Sequence, residues 1–311
     1  MDALSEVLGS VRLKSSIFTR SEAGAPWGIS LQAKAMVRFH YVARGGGWLS
    51  AESAPAPLAL STGALVVLPL GDAHALHDQP RRRLRSLEQM LESTEQTAGA
   101  LLLRFGGTGP RTTVISGCLE FENATARLLS TLPRIIRITA EEGRAVPWLE
   151  RNLQFIEAEA SSNRPGAQLV LARIGEVIFV QALRAHIESV GAEQGGFLRA
   201  LHDHQLGNAL ASMHRQPGEG WTVASLAARA GLSRSVFAAR FRRLVGESPL
   251  AYLTRLRMEK AAALLGEGAA LAEVASQTGY STEASFSVAF RQWAGVAPGV
   301  FRDQQRSKAS E

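Results

Sequence analysis

The hydrophobic rhythm of the chain changes about halfway along. Up to about residue 140, apolar residues come in short runs at 36–42, 65–70, 100–105 and 112–115, separated by Gly, Pro and Asp. Runs of that length bounded by turn formers predict the strands of a β-sandwich or barrel. From Trp148 onward the rhythm is helical. Leu149, Leu153 and Ile156 recur at helical spacing, as do Leu171, Ile174, Ile178, Gln181 and Ala185. Segment 168–190 is apolar over most of its circumference, so it is expected either to lie against the barrel or to meet a second copy of the chain. Gly191, Gly195 and Gly196 break the pattern, placing a hinge between Val190 and His204. Beyond it the pattern is helical to about Gln304, with a frayed end expected at 306–311.

The helical part contains an internal repeat. Ala227 is followed by Gly231, Ser233, Phe237, Phe241, Gly246, Pro249 and Tyr252; Ala275 is followed by Gly279, Ser281, Phe286, Phe290, Gly295, Pro298 and Phe301. Each unit reads as helix, tight turn, helix. Leu226, Ala227 and Ala230 line the inner face of a first helix, Gly231 ends it, and Ser233 caps the next. Phe237, Phe241 and Leu244 then turn inward, leaving Ser235, Ala238, Ala239 and Arg242 outside. In the second unit Thr282 is the cap, Phe286, Phe290 and Trp293 point inward, and Ala284, Ser287, Val288 and Arg291 face out. Such a motif presents its second helix to the major groove, with nearby basic groups gripping phosphate. A helix of seventeen residues at 249–265, about 25 Å long, joins the units and can hold two reading helices in successive grooves.

Charge agrees with that placement. Residues 221–311 hold 12 Lys/Arg against 7 Asp/Glu, and residues 1–220 hold 22 against 21, so nearly all of the net +6 of this 311-residue chain sits in the repeat. A basic module on a near-neutral one calls for an anionic partner. The single cysteine, Cys118, excludes an intrachain disulfide framework and a cysteine-based zinc finger. Asp2, Glu6, Arg12 and Lys14 interrupt every apolar stretch near the start, and segment 168–187 carries Arg173, Glu176, Gln181 and Arg184. Neither an export signal nor a membrane span is expected, and the expected location is cytoplasmic.

Residues 205–305 resemble the DNA-binding domain of the AraC/XylS family of bacterial transcription regulators. The resemblance rests on Val274-Ala275, Gly279-Tyr280, Phe286, Phe290-Arg291, Gly295, Pro298 and Phe301-Arg302. It implies base-facing positions at Ser235, Ala238 and Ala239 in the first reading helix, and at Glu283, Ala284, Ser287 and Val288 in the second. Arg234, Arg242, Arg243 and Arg291 are expected to anchor phosphate. Small readers make no bidentate base pairs, so modest direct readout is expected, with DNA shape supplying the rest.

In the first half, the apolar run ahead of Pro69 leads into a turn at Gly71-Asp72, and His74 opens the returning strand. The spacing of Gly63, Pro69, Gly71 and His74 is similar to the second motif of the cupin superfamily, with Asp78 where many cupins carry Asn. The stretch from Phe39-His40-Tyr41-Val42 through Trp48-Leu49 resembles the first. Metal-binding cupins carry a His-x-His pair and a Glu; here position 42 is Val and Glu52 is the only nearby acid. His40, His74 and His77 could supply three metal ligands only if all face inward, and His74 and His77 differ by three, which turns them to opposite faces of a continuous strand. His40, His74, His77 and Trp48 are therefore expected as effector contacts and no metal or other cofactor as a requirement. Trp27 and Phe39 are expected in the core. The run Arg81-Arg82-Arg83 with Arg85 reads as a solvated loop, and His202-Asp203-His204 as an exposed linker.

The expectation is an α+β multidomain protein: a cupin-like β-barrel with appended helices at 1–196 (barrel about 1–140, helices about 148–190), then an all-α tandem helix-turn-helix domain at 205–308. It is read as a transcription regulator and not an enzyme, responding to a small-molecule effector, with operator DNA, a second copy of itself and, by family resemblance, RNA polymerase as partners. Activation is the family's commoner habit. The alternatives are a metal-dependent cupin enzyme fused to a DNA-binding domain and a ligand-free architectural DNA binder.

Overall fold

The structure is a computed structural model and describes residues 3–9, 13–92, 101–121, 129, 132–141, 151–152, 155–156, 158–159, 164–189 and 196–309. The helical positions expected at Leu149 and Leu153, and the glycines of the hinge at Gly191 and Gly195, lie outside the described residues. The chain divides into two compact units: Arg12–Gly191, and Met1–Val11 together with Ala192–Glu311.

The first unit is built from two sheets. Strands β1 (Leu13–Gly24), β3 (Val37–Arg44), β6 (Leu65–Leu68), β9 (Leu101–Gly106), β10 (Arg111–Phe121) and β11 (Ile136–Ile138) form one, in the order β11-β6-β3-β10-β1-β9. The other is β5-β4-β7-β2-β8, from β2 (Gly28–Leu31), β4 (Gly46–Ala51), β5 (Leu58–Ser61), β7 (His74–His77) and β8 (Arg85–Ser86). Between them lies a core of Trp27, Ile29, Leu31, Val42, Leu49, Leu60, Val66, Leu68, Leu76 and Val114, closed on one side by Met90 of α2 (Leu87–Glu92). Strand side chains alternate faces, so the core membership of Val42, Val66, Leu68 and Val114 marks which face looks in. Phe18, Phe39 and Leu119 have the other parity. Phe18 meets Phe39 edge-on at 5.8 Å, and a Cβ on Gly175 of α3 (Ala167–Ser189) would strike Leu119 and Phe18 at 2.9 Å. A glycine there lets α3 lie close on the sheet.

Helix α3 thus takes the sheet-packed option on one face. Leu171, Ile178, Phe179, Ala182 and Leu183 are buried, while Leu169, Val170 and Val177 stay exposed on the other. Trp27 and Phe39 are buried, as the sequence led us to expect.

The second unit is all helical. It comprises α1 (Ala3–Gly9), α4 (Phe197–His202), α5 (His204–Arg215), α6 (Val223–Arg229), α7 (Arg234–Val245), α8 (Pro249–Gly266), α9 (Leu271–Gln277), α10 (Glu283–Ala294) and α11 (Pro298–Ala309). The sequence placed residues 1–11 with the barrel; in the structure Ala3 and Val7 of α1 are buried and Glu6 pairs with Arg215 of α5 at 2.8 Å. Two other boundaries differ. Phe197 and Leu201 are buried on α4, so the expected hinge is helical from residue 197, and α11 continues to Ala309 through the end expected to fray.

Both helix-turn-helix units form, and local chemistry explains their edges. Gly231 (φ 64°) and Gly279 (φ 78°) take the left-handed conformation after the first helices. Ser233 and Thr282 accept from the backbone amides of Val236 and Ser285 as caps of α7 and α10. Pro249 stands in the first turn of α8, behind its cap Ser248. Phe237 and Phe241 are fully buried in the first lobe, and Phe286 and Phe290 in the second. Helix α8 serves both: Tyr252 and Leu253 are buried near its start, and Met258, Ala261 and Leu265 join Val274, Phe286 and Phe290 at its end.

Candidate DNA-reading surface and barrel pocket

Burying the phenylalanines fixes what α7 and α10 present outward. Arg234, Ser235, Ala239, Arg242 and Arg243 are exposed and Ala238 half-buried; Glu283, Ala284, Val288 and Arg291 are exposed and Ser287 half-buried. Ser235, Ala238, Ala239 and Arg242 therefore match Ala284, Ser287, Val288 and Arg291 position by position. Sequence reasoning passed over Val236, which is 51% exposed beside Ser235; Val288 is 71% exposed.

Salt bridges sort the arginines. Arg240 of α7 donates to Asp203 and, at 2.7 Å, to Gln205. Asp203 also caps α5 by accepting from the amides of Gln205 and Leu206, so the His202-Asp203-His204 stretch read as a linker is a helix junction, with His202 closing α4 and His204 opening α5, both exposed. On α8, Arg255 pairs with Glu247 and Glu259 and lies over the Tyr252 ring at 4.7 Å, and Arg257 donates to the carbonyls of Pro217 and Glu219. Arg234, Arg242, Arg243 and Arg291 have no ion-pair partner among the described residues, which leaves their charge for a ligand.

Inside the barrel, β3 sends Arg38, His40 and Val42 to the core face. Cross-strand pairing sets Ser116 opposite His40 and Cys118 opposite Arg38 on β10. His40 Nε2 lies 2.7 Å from His74 Nε2, His40 Nδ1 is 2.8 Å from Ser116 Oγ, and His74 Nδ1 is 2.7 Å from the Asp72 carbonyl oxygen. A carbonyl only accepts, so Nδ1 of His74 carries its hydrogen and Nε2 is bare in the neutral ring. His40 Nε2–H then donates to it, and the bare Nδ1 of His40 accepts from the Ser116 hydroxyl. Neutrality is enforced by burial, which holds His40 well below the usual histidine value and lowers His74 to about 4.

His77 and Trp48 do not share the face of His40 and His74. They face each other across β7 and β4 on the side opposite Leu76 and Leu49, outside the barrel core, where Ser50 Oγ lies 2.8 Å from His77 Nε2. A strand's period of two separates His77 from His74. The three-histidine metal set consequently does not assemble, and among the described residues no group of three His, Cys, Asp or Glu side chains does. The pair that forms is hydrogen-bonded along one row with a guanidinium on the neighbouring strand position, a donor set unsuited to a divalent cation. The arginine run behaves differently at each position: Arg82 pairs with Asp78 at 2.6 Å, while Arg83 and Arg85 line a cleft of about 510 Å³ with Leu84, Ser86, Gln89 and Met90.

Comparison with known proteins places both halves. The cupin family model matches residues 2–188, and a helix-turn-helix domain model matches 226–304. A putative AraC-like transcription regulator of Streptomyces antibioticus is 33% identical over 97% of this chain and 98% of its own. The RCS-specific HTH-type transcriptional activator RclR of Escherichia coli K12 is 29% identical over 99% of this chain and 100% of its own. Among solved structures, the DNA-binding domain of AdpA in complex with a target DNA is 31% identical, covering 35% of this chain and 98% of that one, with a TM-score of 0.34. ToxT of Vibrio cholerae, bound to an unsaturated fatty acid, is 10% identical over 93% of this chain and 95% of that one, also at 0.34. A cupin domain followed by a tandem helix-turn-helix domain, together with full-length relatives that are transcription regulators, makes this chain a member of the AraC-like family of helix-turn-helix transcription regulators.

Proposed function

We propose that this regulator reads operator DNA with α7 and α10 together, and that a small-molecule effector in the barrel changes how strongly it does so. One observation carries the reading: two helices in the same sequence register expose the same row of small side chains ending in an arginine, Arg242 and Arg291, while their phenylalanines are buried. Small side chains admit close approach to base edges, and Val288 and Val236 offer apolar contact to a thymine methyl. Arg234, Arg242, Arg243 and Arg291 flank that row as phosphate anchors.

The full-length relatives are named as transcription regulators, which supports a binding role for the barrel over a catalytic one. An effector switches transcription only if it binds one arrangement of the protein better than the other. The exposed Leu169, Val170 and Val177 of α3 support a homodimer. Activation, contact with RNA polymerase and a cytoplasmic location go with this reading.

Footprinting on the DNA upstream of the protein's own gene tests it. The expected result is a protected site with two segments about one helical turn apart, lost on substituting Arg242 and Arg291. Uniform, unprotected binding overturns it.

A further inference from the structure

Arg38 is a cation buried inside the barrel with no ion-pair partner among the described residues. Its side chain is 5% exposed, and neither Nε nor Nη1 has a hydrogen-bond partner. No carboxylate among the described residues forms an ion pair with it. A buried guanidinium normally has its charge matched and its donors filled, so this arrangement asks what fills them.

The surroundings narrow the answer. The inward face of the strands around Arg38 carries Ser116 and Cys118 from β10, Thr19 from β1 and Leu68 from β6. Thr19 is buried, but Ser116 and Cys118 are only half-buried although they point inward, so space remains beside them. The charged groups acting on this end are Arg38 itself, Lys34 toward Cys118, and both Asp72 and, on α2, Glu88 toward His74, with Asp72 paired to Arg134 at 3.2 Å. Glu88 is already engaged, accepting from the Gln32 amide and the Ser86 hydroxyl. His40 and His74 are neutral. The balance is one net positive charge, with two unfilled donor nitrogens at its centre.

Nearby donors are also accounted for. Ser116 spends its hydrogen on His40, so its oxygen offers only lone pairs to a ligand. The thiol of Cys118 is kept protonated by burial. Guanidinium N–H groups form short, charge-assisted hydrogen bonds to carboxylate or phosphate oxygens, and Nε and Nη1 offer one on each of two edges.

We propose that Arg38 is the effector's anion subsite: the ligand is a small organic or inorganic oxyanion, most simply a carboxylate, whose charged end docks on one edge of the Arg38 guanidinium, at Nε or at Nη1, inside the barrel. This rests on the reading that the barrel holds the effector and adds its chemical class.

The test uses the full chain and four probes: benzoate, acetate, inorganic phosphate and the neutral isostere benzamide, followed by thermal shift and calorimetry. At least one anion is expected to raise Tm and to bind at least 10-fold tighter than benzamide, and Arg38→Gln is expected to remove that shift. Arg38→Met without any probe is expected to melt at a higher temperature than the wild type, because it removes an uncompensated buried charge; a guanidinium with only a structural role would instead be missed, and Tm would fall. Arg83→Ala/Arg85→Ala is the rival arm. If that variant loses the anion response while Arg38→Gln keeps it, the exposed cleft is the site and the proposal fails. It fails equally if no anion binds, or if benzamide binds as well as benzoate. Operator binding measured alongside keeps the two readings apart: absence of operator binding by the wild type both with and without the anion speaks against the regulator reading, and leaves the anion result to stand or fall on its own.

Discussion

Arg242 and Arg291 sit at matching places on two exposed faces, each without an ion-pair partner among the described residues. A phosphate contact releases condensed counterions, so each arginine adds close to one unit to the salt slope of binding. Replacing both by Ala is expected to flatten the slope by about two and to weaken all DNA sequences alike; fluorescence anisotropy at several salt concentrations measures it. Histidines give a second residue-scale expectation. Burial lowers His74 to about 4 and His214, bonded to Tyr252 at 2.6 Å, to about 3. The unfolded chain therefore takes up these protons first as the pH falls. Stability is full above about 6.5, is lost as the pH drops from there toward 4, and levels off for His74 below its folded value. The loss is about 3 kcal/mol for His74 alone, at about 1.4 kcal/mol per pH unit, and urea midpoints at pH 7 and pH 4.5 check it. His40 and His74 were legible from motif spacing. Arg38 was equally legible in principle, since it stands two residues before His40 on a strand and must share its face; the orphaned state of its donors was not, because it depends on what three other strands fail to supply.

At the scale of elements, turn chemistry carried most of the information. Gly231, Ser233, Gly279 and Thr282 announce both helix-turn-helix edges, because a left-handed cap and an N-cap are local demands. The long strand β1 and the short helix α1 were not announced. Polar residues interrupt the apolar ones through 13–24, and a seven-residue helix has too few turns to show a period. Packing accounts for α1. A fully buried Val contributes about 1.5–3 kcal/mol, whereas an ion pair as exposed as Glu6–Arg215, with Arg215 52% exposed, contributes about 0–1 kcal/mol. Deleting residues 1–9 is thus expected to lower the melting temperature of the helical unit clearly, and Glu6→Ala to change it little. Calorimetry of the two variants separates the contributions, and the opposite order would mean that the ion pair holds the helix.

For the whole molecule, composition and the repeat were enough to assign a basic helical reader behind a sheet-built half, but not the course of the chain between them. The N-terminal residues fold with the far end of the sequence, a pairing over about two hundred positions that no local pattern encodes. Exposed Leu169, Val170 and Val177 on α3 carry the expectation of a dimer, checked by sedimentation of the wild type and of Val177→Lys; a wild type that sediments as a monomer would remove it.

Helix α8 donates Tyr252 and Leu253 to one lobe and Met258, Ala261 and Leu265 to the other. Neither lobe can swing without opening a core, so the protein carries its own ruler. On the proposed reading, operator half-sites are held to one permitted separation, and five base pairs inserted between them, about half a turn of the duplex, put the second half-site on the far side of the DNA. Binding to such an operator should drop to that of a single half-site, and ten inserted base pairs, which restore the side but not the distance, should fail to rescue it.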